Sequence, residues 1–359
     1  MSPRIIIKKP GVLTTLQDLG RYGFQQFGMP VAGAMDKYAL QVANLLVGNS
    51  RSEAGLEITM PGVQFKFEGS CRAAITGADL GAKLNGEPLQ TWQSFNIKNE
   101  GKLEFTQLNS GSRAYLVVQG GYNVPPVMGS KSTYMKGKVG GFQGRKLEQG
   151  DILEINNNDK ANSLPSFIVP EEFTRKYTAE TVVRVVPGPQ DDFFEEEEIN
   201  KFFASNYTVT QQSDRMGYRL DGPALKHKKD YNIITEGLTL GSIQIVGDGR
   251  PIVMMAEHHS AGGYSKIAHV ITIDMPYLGQ LKQGDRVSFK KIVVEEAQQL
   301  LKNQEEQLQD LEKYIKSQNQ RQNQNANKTS AAESVGEKAK RYKMIVNGQE
   351  YNATVEEIK

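Results

Sequence analysis

The sequence has few cysteines, no long apolar run and almost no net charge, and each shortage excludes a class of protein. Cys71 is the only cysteine among 359 residues, which excludes an internal disulfide and indicates a reducing compartment such as the cytoplasm. No segment approaches the ~20 consecutive apolar residues of a membrane span, and the first apolar run is shorter than that of a signal peptide. The formal net charge of +2 gives no general reason to expect nucleic acid or a membrane surface as a partner.

Glycine, by contrast, is abundant and interrupts short apolar segments along most of the chain. The 35 glycines indicate many short strands joined by tight turns. A mainly β architecture of barrels or sandwiches with some α-helix is therefore predicted. The clearest helix covers residues 34–47, where apolar side chains recur at helical spacing and Gly48 provides a stop.

Paired sequence similarities predict an internal repeat. The segment "LEQGDILEI", which begins at Leu147, resembles "LKQGDRVSF", which begins at Leu281. In the same order, "GRYGFQ" around Arg21 resembles "DRMGYRL" around Arg215. A preserved order of similar segments predicts two related β domains, which we assign to residues 1–165 and 180–291.

The pattern changes after residue 291. Apolar residues then recur at helical spacing, which predicts an amphipathic helix over residues 292–318. A Gln- and Asn-rich segment follows, and we expect a flexible linker over residues 319–340. Residues 341–359 alternate in polarity around Asn347-Gly348, which predicts a β-hairpin.

Residues 236–267 concentrate ionisable side chains just after two strand-like runs. The candidates for acid–base and electrostatic catalysis are Glu257, His258, His259 and Lys266. Because adjacent residues on a strand face opposite sides, at most one of the two histidines is expected to enter a pocket. That geometry, without further ligands at the required spacing, argues against a metal site. An ordinary loop with surface histidines is the alternative.

Two loops, one in each predicted repeat, carry an arginine beside an aspartate. An arginine side chain presents a planar fork of donors that suits a carboxylate. The residues predicted to bind a small substrate are Asp18, Arg21, Asp36, Asp214, Arg215, Gln244 and Tyr264. The alternative is that Asp18 and Arg21 pair only to hold their loop. We expect Arg215→Ala to abolish turnover without preventing folding.

A third loop, "KGKVGGFQGR" at residues 136–145, combines glycines with basic side chains. Its backbone N–H groups could cradle an anion, although it lacks the Gly-Lys-Ser/Thr of a Walker A loop. A mobile basic loop is the more common explanation for such a sequence.

Several segments together resemble the biotin-dependent carboxyltransferase family. They are "TTLQDLGRYGFQQFGMPVAGAMD", "VPGPQDDFF", "SDRMGYRL", "GSIQIVGDGRPI", "SAGGYSKIA" and "LKQGD", and the resemblance covers about residues 4 to 291. The family includes the C subunit of bacterial 5-oxoprolinase, the allophanate hydrolase subunit 2 type and the carboxyltransferase region of urea carboxylase. The resemblance implies two cyclophilin-like β-barrel domains, followed here by the C-terminal helix and a short hairpin tail.

The resemblance also implies a function. It is that of a subunit of an ATP-dependent 5-oxoprolinase, or of a related carboxyltransferase acting on a small amide or lactam such as 5-oxoproline or urea. The implied partner is a companion subunit of the 5-oxoprolinase or allophanate hydrolase subunit 1 type. Carboxybiotin would come from a separate carrier, and ATP would be used by the complex rather than by a site in this chain.

The chain departs from the family pattern near the central site. Glu257, His259 and Ser260 stand where the family more often has Asp, Gln and Thr. The C-terminal residues resemble the opening hairpin of a biotinyl carrier domain, but the Met-Lys acceptor turn is absent. A non-catalytic alternative also follows from the family, since one member antagonises a kinase inhibitor: this chain would then bind a companion subunit that inhibits a kinase.

Overall fold

A computed structural model describes residues 2–156, 166–228, 230–336, 339–346 and 349–356. The N-terminal half contains eleven strands among these residues. They are β1 (Arg4–Pro10), β2 (Leu13–Gln17), β3 (Gly55–Thr59), β4 (Val63–Glu68), β5 (Cys71–Asp79), β6 (Ala82–Leu84), β7 (Glu87–Pro88), β8 (Gln93–Ile97), β9 (Glu100–Phe105), β10 (Ser110–Val118) and β11 (Ile152–Glu154).

These strands form two sheets around one apolar core. The six-stranded sheet has the order β11-β1-β4-β9-β6-β7, and the five-stranded sheet has the order β2-β3-β10-β5-β8. Strand β4 illustrates how its side chains form this core, since Val63, Phe65 and Phe67 alternate with polar residues and are fully buried.

Helix α1 (Lys37–Val47) packs against the five-stranded sheet. It begins at the N-cap Asp36, whose side chain accepts a hydrogen bond from the N–H of Ala39, and it ends at Gly48 with φ 77°.

The second half contains a closed barrel with its own core. Its elements are β12 (Glu180–Pro187), α2 (Glu196–Ala204), β13 (Tyr207–Val209), β14 (Gly217–Asp221), β15 (Asn232–Gly237), β16 (Ser242–Ile245), β17 (Pro251–Met254), β18 (Ala261–Tyr264), β19 (Lys266–Val270), α3 (Met275–Gly279) and β20 (Arg286–Lys291). Seven strands close in the order β12-β19-β16-β17-β14-β13-β20, while β15 and β18 form a separate ribbon. In each half the last strand pairs with the first, β11 with β1 and β20 with β12.

By its internal contacts the chain divides into two compact units, residues 1–310 and 311–359. Helix α4 (Val294–Gly336) begins in the first unit. The second unit ends in a hairpin of β21 (Ala339–Val346) and β22 (Gln349–Glu356), whose turn residues 347–348 lie outside the described residues. Among the described helices, none combines the length and the hydrophobicity needed to cross a membrane.

The mainly β fold with a C-terminal helix is confirmed, and two details differ from expectation. The second half closes into a hydrogen-bonded barrel, whereas the strands of the first half divide into two sheets. Helix α4 continues to Gly336, through most of the linker expected at residues 319–340. Gln, Asn, Lys and Ala tolerate or favour helix, and no proline or glycine interrupts this segment before Gly336, so its polar composition alone does not end the helix.

Candidate functional site

An open cleft of about 640 Å³ lies on the outer face of the barrel. Its walls come from strands β14, β16, β17 and β18, from the loops after β13, β16 and β17, and from one side chain of the N-terminal half. The lining residues are Lys136, Gln212, Asp214, Met216, Gly217, Arg219, Gln244, Val246, Asp248, Ile252, Met254, His259 and Tyr264. The cleft therefore brings together four residues predicted from the sequence: Asp214, Gln244, His259 and Tyr264.

The floor of the cleft is one row across three adjacent strands. Arg219 of β14 is in register with Ile252 of β17, and Ile252 is in register with Gln244 of β16. Residues paired in this way share a face of the sheet, and neighbouring strands are ~4.8 Å apart. The row thus presents a guanidinium, an apolar side chain and an amide to the cleft, and the two polar residues are separated by two strand spacings.

Tyr264 and His259 also line the cleft. The backbone oxygen of Tyr264 accepts a hydrogen bond of 3.3 Å from Nε2 of Gln244, which orients the amide. Tyr264 is 37% exposed, and the centroid of its ring lies 6.0 Å from that of Tyr231. His259 is exposed, in contrast to the buried His258 beside it. The expectation for the two histidines rested on strand alternation, whereas both lie in the loop after β17, and of the two His259 lines the cleft.

Lys136 reaches the cleft from the glycine-rich loop of the N-terminal half. Its Nζ atom lies 4.0 Å from Oδ2 of Asp214. The other carboxylate oxygen of Asp214 accepts hydrogen bonds from the backbone N–H groups of Met216 at 2.7 Å and Gly217 at 3.2 Å. Asp214 therefore shapes its own turn, and Lys136 remains 57% exposed as a cation that a bound anion can approach.

Arg215 lies behind the cleft, buried between two carboxylates. Its Nε donates to Oε1 of Glu257 at 2.6 Å, its NH1 donates to Oε1 of Glu57, and its NH2 donates to the backbone oxygen of Gly33 at 2.6 Å. Burial alone would lower the pKa of Arg215, but the charges of Glu57 and Glu257 outweigh that effect and raise it. All three guanidinium nitrogens are engaged within the protein, so these contacts hold structure rather than bind a ligand.

Glu57 is a central residue that sequence reasoning missed. It lies on β3 and accepts hydrogen bonds at Oε2 from the hydroxyl of Tyr115 at 2.7 Å and from the N–H of Met35 at 2.8 Å. Arg113 approaches its Oε1 to 3.9 Å. The signal in the sequence is one acidic residue inside an apolar strand, "GLEIT", which has to find a cation when it is buried.

The acidic and basic residues of the first loop also have internal partners. Asp18 accepts hydrogen bonds from the N–H groups of Gly20 and Lys131 at 2.8 and 2.7 Å, together with the hydroxyls of Ser130 and Ser132. Arg21 is fully buried and donates to the backbone oxygens of Val127 at 3.0 Å and Ser132 at 2.9 Å. Burial lowers the pKa of Arg21, and the charge of Asp18 opposes the shift. Asp18 and Arg21 therefore hold their loop through separate partners, whereas the alternative expected them to pair with each other.

Asp36 is buried at the start of α1 and is not among the residues that line the cleft. Besides capping the helix, it accepts hydrogen bonds from the Tyr177 hydroxyl at 2.6 Å and from Nε2 of Gln280 at 2.9 Å. Burial raises the pKa of Asp36, and these hydrogen bonds offset part of the shift. Because Gln280 belongs to the second half of the chain, Asp36 helps to join the two halves.

His258 and Lys266 are not among the residues that line the cleft. Nδ1 of His258 is 2.6 Å from the backbone oxygen of His259, and burial lowers the pKa of His258. Lys266 is 2% exposed and pairs with Glu236 at the edge of another cavity, of about 570 Å³. The sequence grouped both residues with His259 because they are close in the chain. In the structure the His258 side chain is buried beside His259, and Lys266 lines a different cavity.

The cleft contains the groups that proton transfer and anion binding require. It offers an imidazole, a phenol, a carboxamide and two cations, Lys136 and Arg219, neither of which was among the predicted site residues. Within the described residues, no group of three or more His, Cys, Asp or Glu side chains could hold a metal ion. The cleft is thus equipped for acid–base and electrostatic catalysis on a small polar molecule.

Comparison with known proteins gives consistent results. The family model described as "Carboxyltransferase domain, subdomain A and B" matches residues 27–291. The chain is 38% identical to the 5-oxoprolinase C subunit of Escherichia coli K12 over 291 residues, which cover 81% of this chain and 92% of that protein. It is 30% identical to the corresponding 5-oxoprolinase C subunit of Haemophilus influenzae over 85% of this chain and 96% of that protein.

A solved structure is also similar. The urea amidolyase of K. lactis superposes with a TM-score of 0.81 at 31% identity over 87% of this chain. The chain spans about a fifth of that enzyme, 20% of its length. The similarity therefore concerns one region of a much larger protein.

Proposed function

Since this chain belongs to the carboxyltransferase family of subdomains A and B, we propose that it is the C-type subunit of an ATP-dependent 5-oxoprolinase. The observation that carries the proposal is 38% identity over 92% of the E. coli protein, a match along nearly its whole length. The substrate is then a small lactam or amide, with 5-oxoproline first and urea second. The similarity to the urea amidolyase structure is what favours urea as the second candidate.

We propose that the substrate binds in the cleft of the barrel. Gln244 would pair with the amide of the substrate, because a carboxamide offers both a donor and an acceptor. His259 would take the proton from the substrate nitrogen as that nitrogen becomes nucleophilic, with Tyr264 beside it. Lys136 would stabilise the negative charge that develops on an oxygen. Glu257 and Arg215 would hold the strand ends that carry His259 and Asp214, rather than contact the substrate.

The cleft fits the carboxylate end of a carboxybiotin supplied by a separate carrier. Lys136 can pair with that carboxylate, and the cleft is open to solvent. When bound, that group supplies an activated carboxyl group. ATP is assigned to the complex and not to a site in this chain.

We further propose that the chain acts with a companion subunit of the 5-oxoprolinase or allophanate hydrolase subunit 1 type, in the cytoplasm. The E. coli relative is itself named as one subunit of its enzyme, which supports the need for companions. The cytoplasm supplies ATP, and a chain whose only cysteine is the buried Cys71 needs no oxidising compartment.

The test is 5-oxoproline-dependent ATP hydrolysis by the companion subunits, with and without this chain, each in the presence and absence of avidin. Activity that requires this chain supports the proposal. Inhibition of this activity by avidin would indicate that the complex transfers a carboxyl group from biotin. Activity that resists avidin would indicate that the ring is opened without biotin. If 5-oxoproline gives no activity that depends on this chain, the proposal fails for that substrate, and the same assay with urea decides the second candidate.

A further inference from the structure

The proposed cleft continues into a neighbouring cavity, and one cation lies where they join. The second cavity, of about 350 Å³, extends along the outer face of β14 and β17. Both cavities are lined by Gln212, Arg219, Val246, Asp248 and Ile252. Arg219 is the cationic residue of this shared set, and it projects from the middle of β14, which is paired on both edges.

Arg219 differs from the other cationic side chains of this surface because it forms no ion pair with a described carboxylate. Arg250 lies 3.0 Å from Asp221 and 3.7 Å from Asp248, and Lys136 lies 4.0 Å from Asp214. Among the residues that the structure describes, no carboxylate lies within 4.0 Å of the guanidinium of Arg219. The nearby aspartates are already in ion pairs with other cations, so the fork of Arg219 is open to an anion that enters the cleft.

The spacing of the residues along the floor of the cleft indicates which kind of molecule would carry that anionic group. Arg219 and Gln244 are in register with the same residue, Ile252, one strand away on either side. Their backbones are therefore roughly 10 Å apart, two strand spacings, and both side chains extend into the cleft. A small ring that lies on Ile252 can present an amide to Gln244 and a carboxylate to Arg219 at once.

We propose that Arg219 is the specificity residue of the cleft and binds the carboxylate of a lactam acid whose amide pairs with Gln244. Its planar fork forms two parallel hydrogen bonds to a carboxylate, which a neutral amide cannot reproduce. This inference rests on the proposed function and narrows it: the preferred substrates carry a carboxylate next to the lactam, and urea does not satisfy Arg219.

The test compares 5-oxoproline with 2-pyrrolidone, the same ring without the carboxylate. The dissociation constants of both are measured by NMR titration of the full chain and of the complex, for wild type, Arg219→Gln and Arg219→Lys. Arg286→Gln serves as the matched control, because Arg286 is an exposed strand arginine of the same barrel that lines neither cavity.

We expect Arg219→Gln to weaken 5-oxoproline binding by about tenfold or more, with 2-pyrrolidone binding within about twofold of wild type. Arg219→Lys should restore part of the affinity, and Arg286→Gln should show none of this effect. In the turnover assay the Arg219→Gln variant should raise KM more than it lowers kcat.

Equal weakening of both ligands, or no change in 5-oxoproline binding, would overturn the assignment. So would a wild-type chain that binds no 5-oxoproline either alone or in the complex. Loss of 5-oxoproline binding in Arg219→Gln supports the assignment even where ATP hydrolysis proves independent of this chain. In that case the proposed function would fail while the carboxylate site stands.

Discussion

Arg215 of the barrel forms a buried ion pair with Glu57 of the N-terminal half. Their side chains are 5% and 1% exposed, and the same arginine binds Glu257 at 2.6 Å. The pair joins strand β3 to the turn that precedes β14, just behind the cleft. The position of Asp214 and the start of the loop that carries His259 therefore depend on a contact between residues 158 positions apart.

Replacing Arg215 with Ala should destabilise the protein. The substitution leaves Glu57 and Glu257 buried without their cation, and breaking one side of such a pair costs about 3 to 5 kcal/mol. This revises the expectation from the sequence that folding is unaffected. Denaturant unfolding would measure the change, with the exposed Arg286→Ala as the control. A variant as stable as wild type would show that the ion pair contributes nothing to the fold.

Lys136→Ala should impair turnover without affecting stability. Lys136 is 57% exposed, so its removal leaves nothing buried and unpaired, while the cleft loses the cation nearest Asp214. We expect kcat/KM to fall about tenfold, as for the loss of one charge-assisted contact. Lys146→Ala is the matched control, since Lys146 is exposed on the same loop but does not line the cleft. Equal effects of the two variants would remove Lys136 from the site.

Gly262→Ala should displace the amide of Gln244. A Cβ atom at this position would lie 2.8 Å from Nε2 of Gln244 and 2.7 Å from Cδ1 of Leu238, so one of them has to move. The neighbouring Gly263→Ala is the control, because its nearest contacts would be at 3.5 and 3.6 Å. Steady-state kinetics should show a drop of roughly tenfold in kcat/KM for the first variant only. Comparable activity in both variants would argue against a role for Gln244.

The stability of the protein should decrease on mild acidification. Burial lowers the pKa of His227, His258 and His269 below the ordinary value of 6.5. Between the folded and unfolded pKa values the unfolded chain binds protons that the folded chain does not, so stability rises with pH there. The contribution of these residues is complete above about pH 6.5 and is lost as the pH falls below it.

Denaturant unfolding at a series of pH values would measure this dependence. In His258→Gln the fall in unfolding free energy between about pH 7 and pH 5 should be smaller than in wild type. A comparison at about pH 8, where the histidine is neutral in both states, isolates the loss of its hydrogen bond to the His259 carbonyl. An unchanged slope below about pH 7 would show that His258 does not contribute to the acid sensitivity.

Individual helices and strands could be predicted from the sequence. Helix α1 follows from the spacing of its apolar residues and from Gly48, and β4 follows from the alternation of Val63, Phe65 and Phe67. Both depend on interactions within a few residues. The extension of α4 to Gly336 was missed because polar composition was taken to indicate a linker, although Gln, Lys and Ala are compatible with helix.

Only some of the residues that line the cleft could be predicted from the sequence. Asp214, Gln244, His259 and Tyr264 were predicted and line one cleft. Other predicted residues are engaged elsewhere, since the sequence shows which side chains can ionise but not which carboxylate or carbonyl each of them meets. Arg219 was missed because nothing near it in the chain distinguishes it from other surface cations. Lys136 belongs to the glycine-rich basic loop that the sequence indicated as a possible anion cradle, but it was not placed in this site.

The sequence by itself determined the β-rich class, the C-terminal end of the first helix at Gly48 and the family, because these depend on local periodicity and on the order of short motifs. Only the tertiary structure decided which charges are buried in pairs and which remain open to a ligand. The pairing of β16, β17 and β14 brings Gln244, Ile252 and Arg219 into one row, and the packing of the barrel against the N-terminal half buries Arg215 against Glu57. Two arginines four positions apart thus acquire opposite roles, one in the interior of the protein and one in the cleft.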